Sequence, residues 1–208
     1  MKTNYPLFLL ISIAILFLTP FSSKAQETDK KLKIGLSLTP FSFRNIGPLK
    51  KLDGAGSLSS RKFFSADLSV LVPLKNRIYL ETGIGFSKQQ VDVLGAVVDP
   101  QKERFKDTVT LKIMEVPILA HMEFGKYFYA NLGPTLHFDV SGQQQVMDKQ
   151  NGVGVQLAVG ANLNLSQNFS VHLEPGYKIY SLIPFESGNS YDRIMQLGFK
   201  IGARYVLW

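Results

Sequence analysis

The most constraining feature of this 208-residue chain is strict two-residue alternation, clearest where Val155, Leu157, Val159, Ala161, Leu163 and Leu165 interleave with Gln156, Ala158, Gly160, Asn162 and Asn164. A period of two places successive side chains on opposite faces of a strand, and no stretch after the first thirty residues carries the helical period. The pattern recurs from Leu32 (apolar Leu32, Ile34, Leu36, Leu38), from Phe64 (Phe64, Ala66, Leu68, Val70, Val72), from Ile78 (Ile78, Leu80, Ile84, Phe86), from Val109 to Phe124, from Phe128 to Val140, through the stretch from Val155, from Val171 (Val171, Leu173, Tyr177, Ile179), and from Arg193 onward. Eight strands are expected, and the chain is all-β.

The connections alternate in length. Pro73 to Asn76, Gly125-Lys126 and Ser166 to Asn168 are short turns, whereas Arg44 to Arg61, Lys88 to Thr108, Ser141 to Gly152 and Pro184 to Asp192 read as long loops. One strand resists the simple pattern. Leu111 and Ile113 are apolar in one phase and Met114, Val116, Ile118, Ala120 and Met122 in the other, which predicts a bulge near Met114, and Pro117 argues for a weakly bonded position.

The N-terminal segment has a different logic. Lys2 precedes an apolar run from Leu7 to Leu18, then Thr19-Pro20 and the small-residue stretch Ser23-Lys24-Ala25-Gln26. This is the pattern of a secretory signal peptide, expected to be cleaved after Ala25, so residues 1–25 are a leader and residues 26–208 one domain. Without the leader, 21 basic residues face 16 acidic ones, an excess that is scattered, so nucleic acid is not an expected partner. The chain has no cysteine, which excludes disulfides, thiolate metal sites and a cysteine nucleophile.

The chemistry of the two faces separates a membrane barrel from a soluble one. The apolar face is bulky, while Gly35, Gly83, Gly85, Gly133, Gly160, Gly176, Gly198 and Gly202 all fall on the polar face. A soluble lipocalin-like barrel would bury its apolar face, whereas small polar-face residues suit a narrow interior that also holds charges. Alternating short and long connections fit strands inserted with one end leading, short turns in the periplasm and long loops outside. Aromatics near strand ends (Phe64, Tyr127, Phe128, Phe169, Tyr205, Trp208) fit interfacial girdles.

The strand Met114-Glu115-Val116-Pro117-Ile118-Leu119, the segment Asn131-Leu132-Gly133-Pro134 after the next turn, and an aromatic-terminated last strand together resemble the porin-like outer-membrane β-barrel domain families of Gram-negative bacteria, of the size of OmpA- and OmpX-type barrels. Lys200, Gly202, Tyr205, Leu207 and Trp208 look like the C-terminal insertion signal of such barrels. The resemblance implies an eight-stranded antiparallel up-and-down transmembrane β-barrel in the outer membrane, with lipid and the barrel insertion machinery as partners. It carries no catalytic residues to transfer.

With the polar face inward, Lys33, Asp67, Glu81, Glu115, His121, Glu123, His137, Asp139, His172, Glu174, Lys178, Lys200 and Arg204 line the lumen. Charges of both signs in a confined space must pair, so Lys33, Asp67, Glu81, Glu174, Lys178, Lys200 and Arg204 are expected to form an ion-pair network that plugs the barrel. The function implied is structural or surface-interacting; the alternatives are recognition of an extracellular ligand through the four loops, a narrow pore, or a soluble periplasmic ligand-binding barrel. An enzyme is not expected. His137 has Asp139 on its face, but no serine, histidine and acid share a recognisable local context, and three scattered histidines lack metal-ligand spacing, so no cofactor is expected.

Overall fold

The computed structural model describes residues 31–47, 57–94, 106–142, 149–186 and 193–207. The leader, Trp208 and the centres of the four long connections lie outside these residues. The described chain forms β1 (Lys33–Gly47), β2 (Ser57–Lys75), β3 (Ile78–Leu94), β4 (Lys106–Phe124), β5 (Phe128–Asp139), β6 (Gly152–Asn164), β7 (Phe169–Pro184) and β8 (Arg193–Val206). Each strand pairs antiparallel with the next, and β1 pairs with β8, from Lys33 against Val206 to Gly47 against Arg193, which closes the barrel. Closure leaves no open edge, so every ladder hydrogen bond is made within the protein, as a lipid environment requires.

The pleat sorts the side chains. Along β6, Leu157 is 52% and Val159 56% exposed, whereas Ala158 between them is 2% exposed and Gln156 before them 4%. The same sorting gives an outward belt of Leu36, Leu68, Ile84, Ile118, Leu132, Leu173 and Ile201. Soluble monomers rarely expose a contiguous apolar exterior of this extent. Polar groups, including Glu81, His121, Asn131, His137, Glu174 and Arg204, are buried inside. A soluble lipocalin-like barrel would have the reverse arrangement.

Two expectations about local structure need correction. The strands run further beyond the belt than the loop-like composition suggested: β1 continues to Gly47, β2 begins at Ser57, β3 continues to Leu94 and β4 begins at Lys106. With 19 residues in β2 and β4 and 17 in β3, these strands exceed the roughly 9–11 residues needed to cross a bilayer, and the excess projects on the long-loop side. The second correction is in β4, where no bulge exists near Met114. Pairing with β3 keeps one register from Ile78–Met122 to Leu94–Lys106, and Leu111 and Ile113 point inward in the same phase as Glu115. The parity change in the sequence marks a change in what the interior holds. Pro117 does mark an interruption: the β3–β4 ladder has no pairs between Thr82–Ile118 and Gly85–Glu115.

Extra residues occur elsewhere. β1 gains one residue between Leu38 and Phe41 against β8, at Pro40, and this turns Ser42, Arg44 and Ile46 inward while Phe41 and Phe43 face out. In β7, Tyr180, Ser181 and Leu182 stand against the single Gly154, with Ser181 in the left-handed region (φ 43°), so Tyr180 and Ser181 are both buried.

Close approach also explains a glycine. A Cβ at Gly160 would collide with the ring of Tyr129, itself fully buried and unable to yield. Gly160→Val should therefore lower stability by about 1–3 kcal/mol through overpacking, read as a reduced urea midpoint for the loss of heat-modifiable gel mobility.

Candidate functional site in the barrel interior

Eight strands leave an interior just wide enough for side chains, so inward residues from opposite walls meet. Toward the short-turn end, the Arg204 guanidinium of β8 donates to Glu81 of β3 at 3.4 Å and lies 4.0 Å from Glu174 of β7. Asn131 of β5 binds the same two carboxylates, its amide donating to Glu81 at 3.1 Å and to Glu174 at 2.8 Å. His121 Nδ1 is 2.7 Å from the Asn131 amide oxygen and 3.3 Å from Glu81 Oε2. Both neighbours are acceptors, so Nδ1 carries a proton. Tyr129 stacks on His121 with ring centroids 4.6 Å apart and carries Arg204 over its ring, also at 4.6 Å. The cation is thus held by two carboxylates and an aromatic face.

Around this centre lie further pairs. Lys33 of β1 donates to Glu123 of β4 at 2.6 Å and lies over the Tyr79 ring. Lys178 of β7 donates to Glu115 of β4 at 2.5 Å, and Lys200 of β8 is 3.5 Å from Glu174. Of the seven residues expected in a network, Glu81, Glu174, Lys200 and Arg204 meet one another, while Lys33 and Lys178 pair with Glu123 and Glu115. Among the described residues Asp67 has no cation within ion-pair distance: the Ser65 hydroxyl donates to it at 3.4 Å, and it faces Glu115 across Gly85.

Toward the long-loop end the interior changes character. The Arg44 guanidinium stacks over Phe63 at 3.7 Å and donates to Gln89, Gln196 and, at 3.3 Å, to the Tyr180 hydroxyl; that hydroxyl donates to Gln196 at 2.7 Å. Against this group lies an apolar cluster of Ile46, Val91, Leu111, Ile113, Tyr180 and Ile194, each 8% exposed or less. Sequence reasoning missed this layer and the Arg44 group. The signal for Leu111 and Ile113 was present but was attributed to a bulge. Asn131 counts in the sequence only as part of the family-like segment Asn131 to Pro134 and not as a lumen group, since an amide announces no charge.

The three histidines are built into these layers. His137 Nε2 is 3.1 Å from Thr135 Oγ1 and 3.7 Å from Glu115, and its ring packs on Tyr180 at 4.5 Å. Asp139 is not its partner, because that carboxylate accepts the backbone N–H groups of Ser141 and Gln150. Ser181 approaches His137 only through its backbone N–H, and its hydroxyl makes no hydrogen bond among the described residues. His172 Nε2 is 3.1 Å from Ser37 Oγ. Among the described residues no three His, Asp or Glu side chains form a metal-binding group.

A closed barrel with a lipid-facing exterior and a charged interior has a family counterpart. Residues 24–185 match the family described as outer membrane protein beta-barrel domain, which is more than half of the chain. The chain belongs to this family. It is therefore a small outer-membrane β-barrel protein, with its belt in lipid. No curated protein matches it. Among solved structures the barrel is similar to the outer membrane protein AlkL, determined by solid-state NMR in DMPC bilayers, at 12% identity and a TM-score of 0.49, covering 90% of this chain and 95% of that one. It is similar also to OprG from Pseudomonas aeruginosa (14%, 0.49, 85% and 96%) and to the outer membrane protease OmpT from Escherichia coli (9%, 0.46, 88% and 99%). At these identities the likeness concerns the fold alone.

The interior pairs generate a test. Arg204→Ala leaves Glu81 and Glu174 facing each other with less positive charge, and breaking a buried pair costs about 3–5 kcal/mol. The urea midpoint of the folded barrel should fall accordingly, with Arg204→Lys intermediate because a lysine cannot supply the planar fork. An unchanged midpoint would show that the interior charges do not hold the barrel.

Proposed function

We propose that this outer-membrane barrel is sealed across its interior and serves as a structural anchor that holds its external connections above the membrane, rather than as a channel. The observation that carries this reading is the succession of two different closures along one lumen. The charged group centred on Arg204 fills the section toward the short turns, and the apolar cluster with the Arg44 group fills the section toward the long loops. An ion passing the first would have to break paired charges, and an ion passing the second would have to lose its water among Ile46, Val91, Leu111, Ile113 and Ile194. Between them, a cavity of about 30 Å³ lined by residues including Gln156, Glu174, Lys178, Gln196 and Lys200 has room for a water or two.

The extended ends of β2, β3 and β4 support the second half of the reading, because they carry the outer connections beyond the belt on a rigid ladder. Recognition of an extracellular ligand by those connections belongs to the same proposal. So does the role of Lys200, Gly202, Tyr205, Leu207 and Trp208 as the signal read by the insertion machinery. Tyr205 does face outward near the short-turn end, and Gly202 admits close packing of Leu36, Ser37 and His172.

Planar-bilayer recording tests the seal. The purified protein should give no resolved single-channel steps, whereas the double variant Leu111→Gly, Ile113→Gly, with Arg44→Ala added, should give brief openings. Steady ion conductance by the unaltered protein would overturn the sealed reading.

A further inference from the structure

The outer face of β2, β3 and β4 carries a group of cations that the barrel itself does not use. In β2 one extra residue between Ser60 and Phe63 sets both Arg61 and Lys62 against the single Gln90 of β3, and both are exposed. Arg61 is committed to Asp92 at 2.8 Å, and Asp92 also accepts the Thr108 hydroxyl at 2.9 Å. Among the described residues Lys62 has no such partner. One row nearer the membrane, Lys88 of β3 is the direct cross-strand partner of Lys112 of β4, with Phe64 of β2 on its other side. Both lysines are exposed.

Among the described residues no carboxylate lies within ion-pair distance of Lys62, Lys88 or Lys112. The acid on their own face, Asp92, is engaged with Arg61, and Asp107, further out on β4, stands in the inward phase of Val109 and Leu111 and accepts the backbone N–H of Thr108. Like charges directly opposite on an antiparallel pair destabilise it, so Lys88 against Lys112 is a cost that the fold does not require. Height matters as much as charge. The next row toward the short turns is Ala66, Phe86, Met114 and Phe138, of which Phe86, Met114 and Phe138 face lipid. The lysines therefore stand where the apolar belt ends on the outer side, at the level of the lipid headgroups.

We propose that Lys62, Lys88 and Lys112 form a binding site for the phosphate of a phosphorylated lipid in the outer leaflet. A phosphate between the three ammonium groups would turn the Lys88–Lys112 repulsion into shared attraction, and lysine is a suitable point charge for it. The lipid's chains would then lie along Phe64, Phe86 and Met114. At the opposite rim Lys75 and Lys126 belong to different turns and are not cross-strand partners, so they make no equivalent group. The inference rests on the outer-membrane location and not on the sealed interior.

Native mass spectrometry of the full barrel in phosphatidylcholine nanodiscs doped with lipid A tests the site. The unaltered protein should retain lipid A at least roughly tenfold better than the triple variant Lys62→Gln, Lys88→Gln, Lys112→Gln, and better than it retains dephosphorylated lipid A. Lys75→Gln with Lys126→Gln should behave as the unaltered protein. Heat-modifiable gel mobility selects folded samples of each variant, and should the triple fail to fold, the three single variants replace it, each expected to lose part of the retention. Equal retention by folded unaltered and substituted protein, or equal retention of both forms of lipid A, would overturn the proposal. Displacement of lipid A by millimolar inorganic phosphate would assign the lysines to a free anion and overturn the lipid assignment.

Discussion

Everything inside this barrel depends on pairing buried charge across the lumen. Arg204 on β8 reaches Glu81 on β3, Lys33 on β1 reaches Glu123 on β4, Lys178 on β7 reaches Glu115 on β4, and Asn131 on β5 joins carboxylates from β3 and β7. None of these contacts joins neighbouring strands in the ladder. An open sheet would leave each group facing water on its own, so the contacts exist only once β1 has met β8. Closure and charge pairing are therefore one event, and the last strand contributes both the ladder that closes the seam and the two cations, Lys200 and Arg204, that the interior carboxylates need.

The aromatic residues make this arrangement tolerable. A guanidinium flanked by two carboxylates still exposes its flat faces, and the Tyr129 ring covers one of them while stacking on His121. Gly160 leaves room for that ring. Small residues on the polar face are thus the counterpart of large ones: the barrel radius is fixed by strand number, so each bulky inward side chain requires a vacant position on the wall it approaches. The glycines on the inward face and the charges they accommodate follow from the same limit.

How much of this could be read from the sequence follows from where parity is preserved. In the half nearest the short turns the strands keep one phase as far as the shift between Pro73 and Lys75 at the end of β2, and the inward positions of Lys33, Glu81, Glu174, Lys200 and Arg204 follow from simple alternation. The identity of their partners did not, since register across the lumen depends on the stagger of strands far apart in sequence. Asp67 illustrates the limit: its face was legible, but its isolation from direct pairing was not. In the outer half parity fails locally. Extending the alternation of Leu32 to Leu38 past Pro40 would put Arg44 and Ile46 on the lipid side, whereas the extra residue at Pro40 turns them inward. The opposite error arose in β4, where an uninterrupted strand with apolar inward residues looked like a strand with a bulge.

Those parity breaks have a common physical sense. Toward the outer end the interior is apolar, so alternation no longer separates a lipid face from a lumen face by hydrophobicity, and the sequence signal weakens where the strands leave the belt. Extra residues then act as local devices for aiming side chains. In β1 one turns Arg44 in toward Gln89, Gln196 and Tyr180; in β7 the irregularity adds Ser181 to the buried side beside Tyr180, which already shares the inward phase of His172 and Glu174; in β2 another puts Arg61 out beside Lys62, which already shares the outward phase of Phe64 and Leu68. The cation sent inward, Arg44, finds amides, a phenol and aromatic faces supplied by the protein. The outward lysines find no carboxylate among the described residues, and that contrast within one half of one barrel is the ground for assigning them to the phosphate of a lipid.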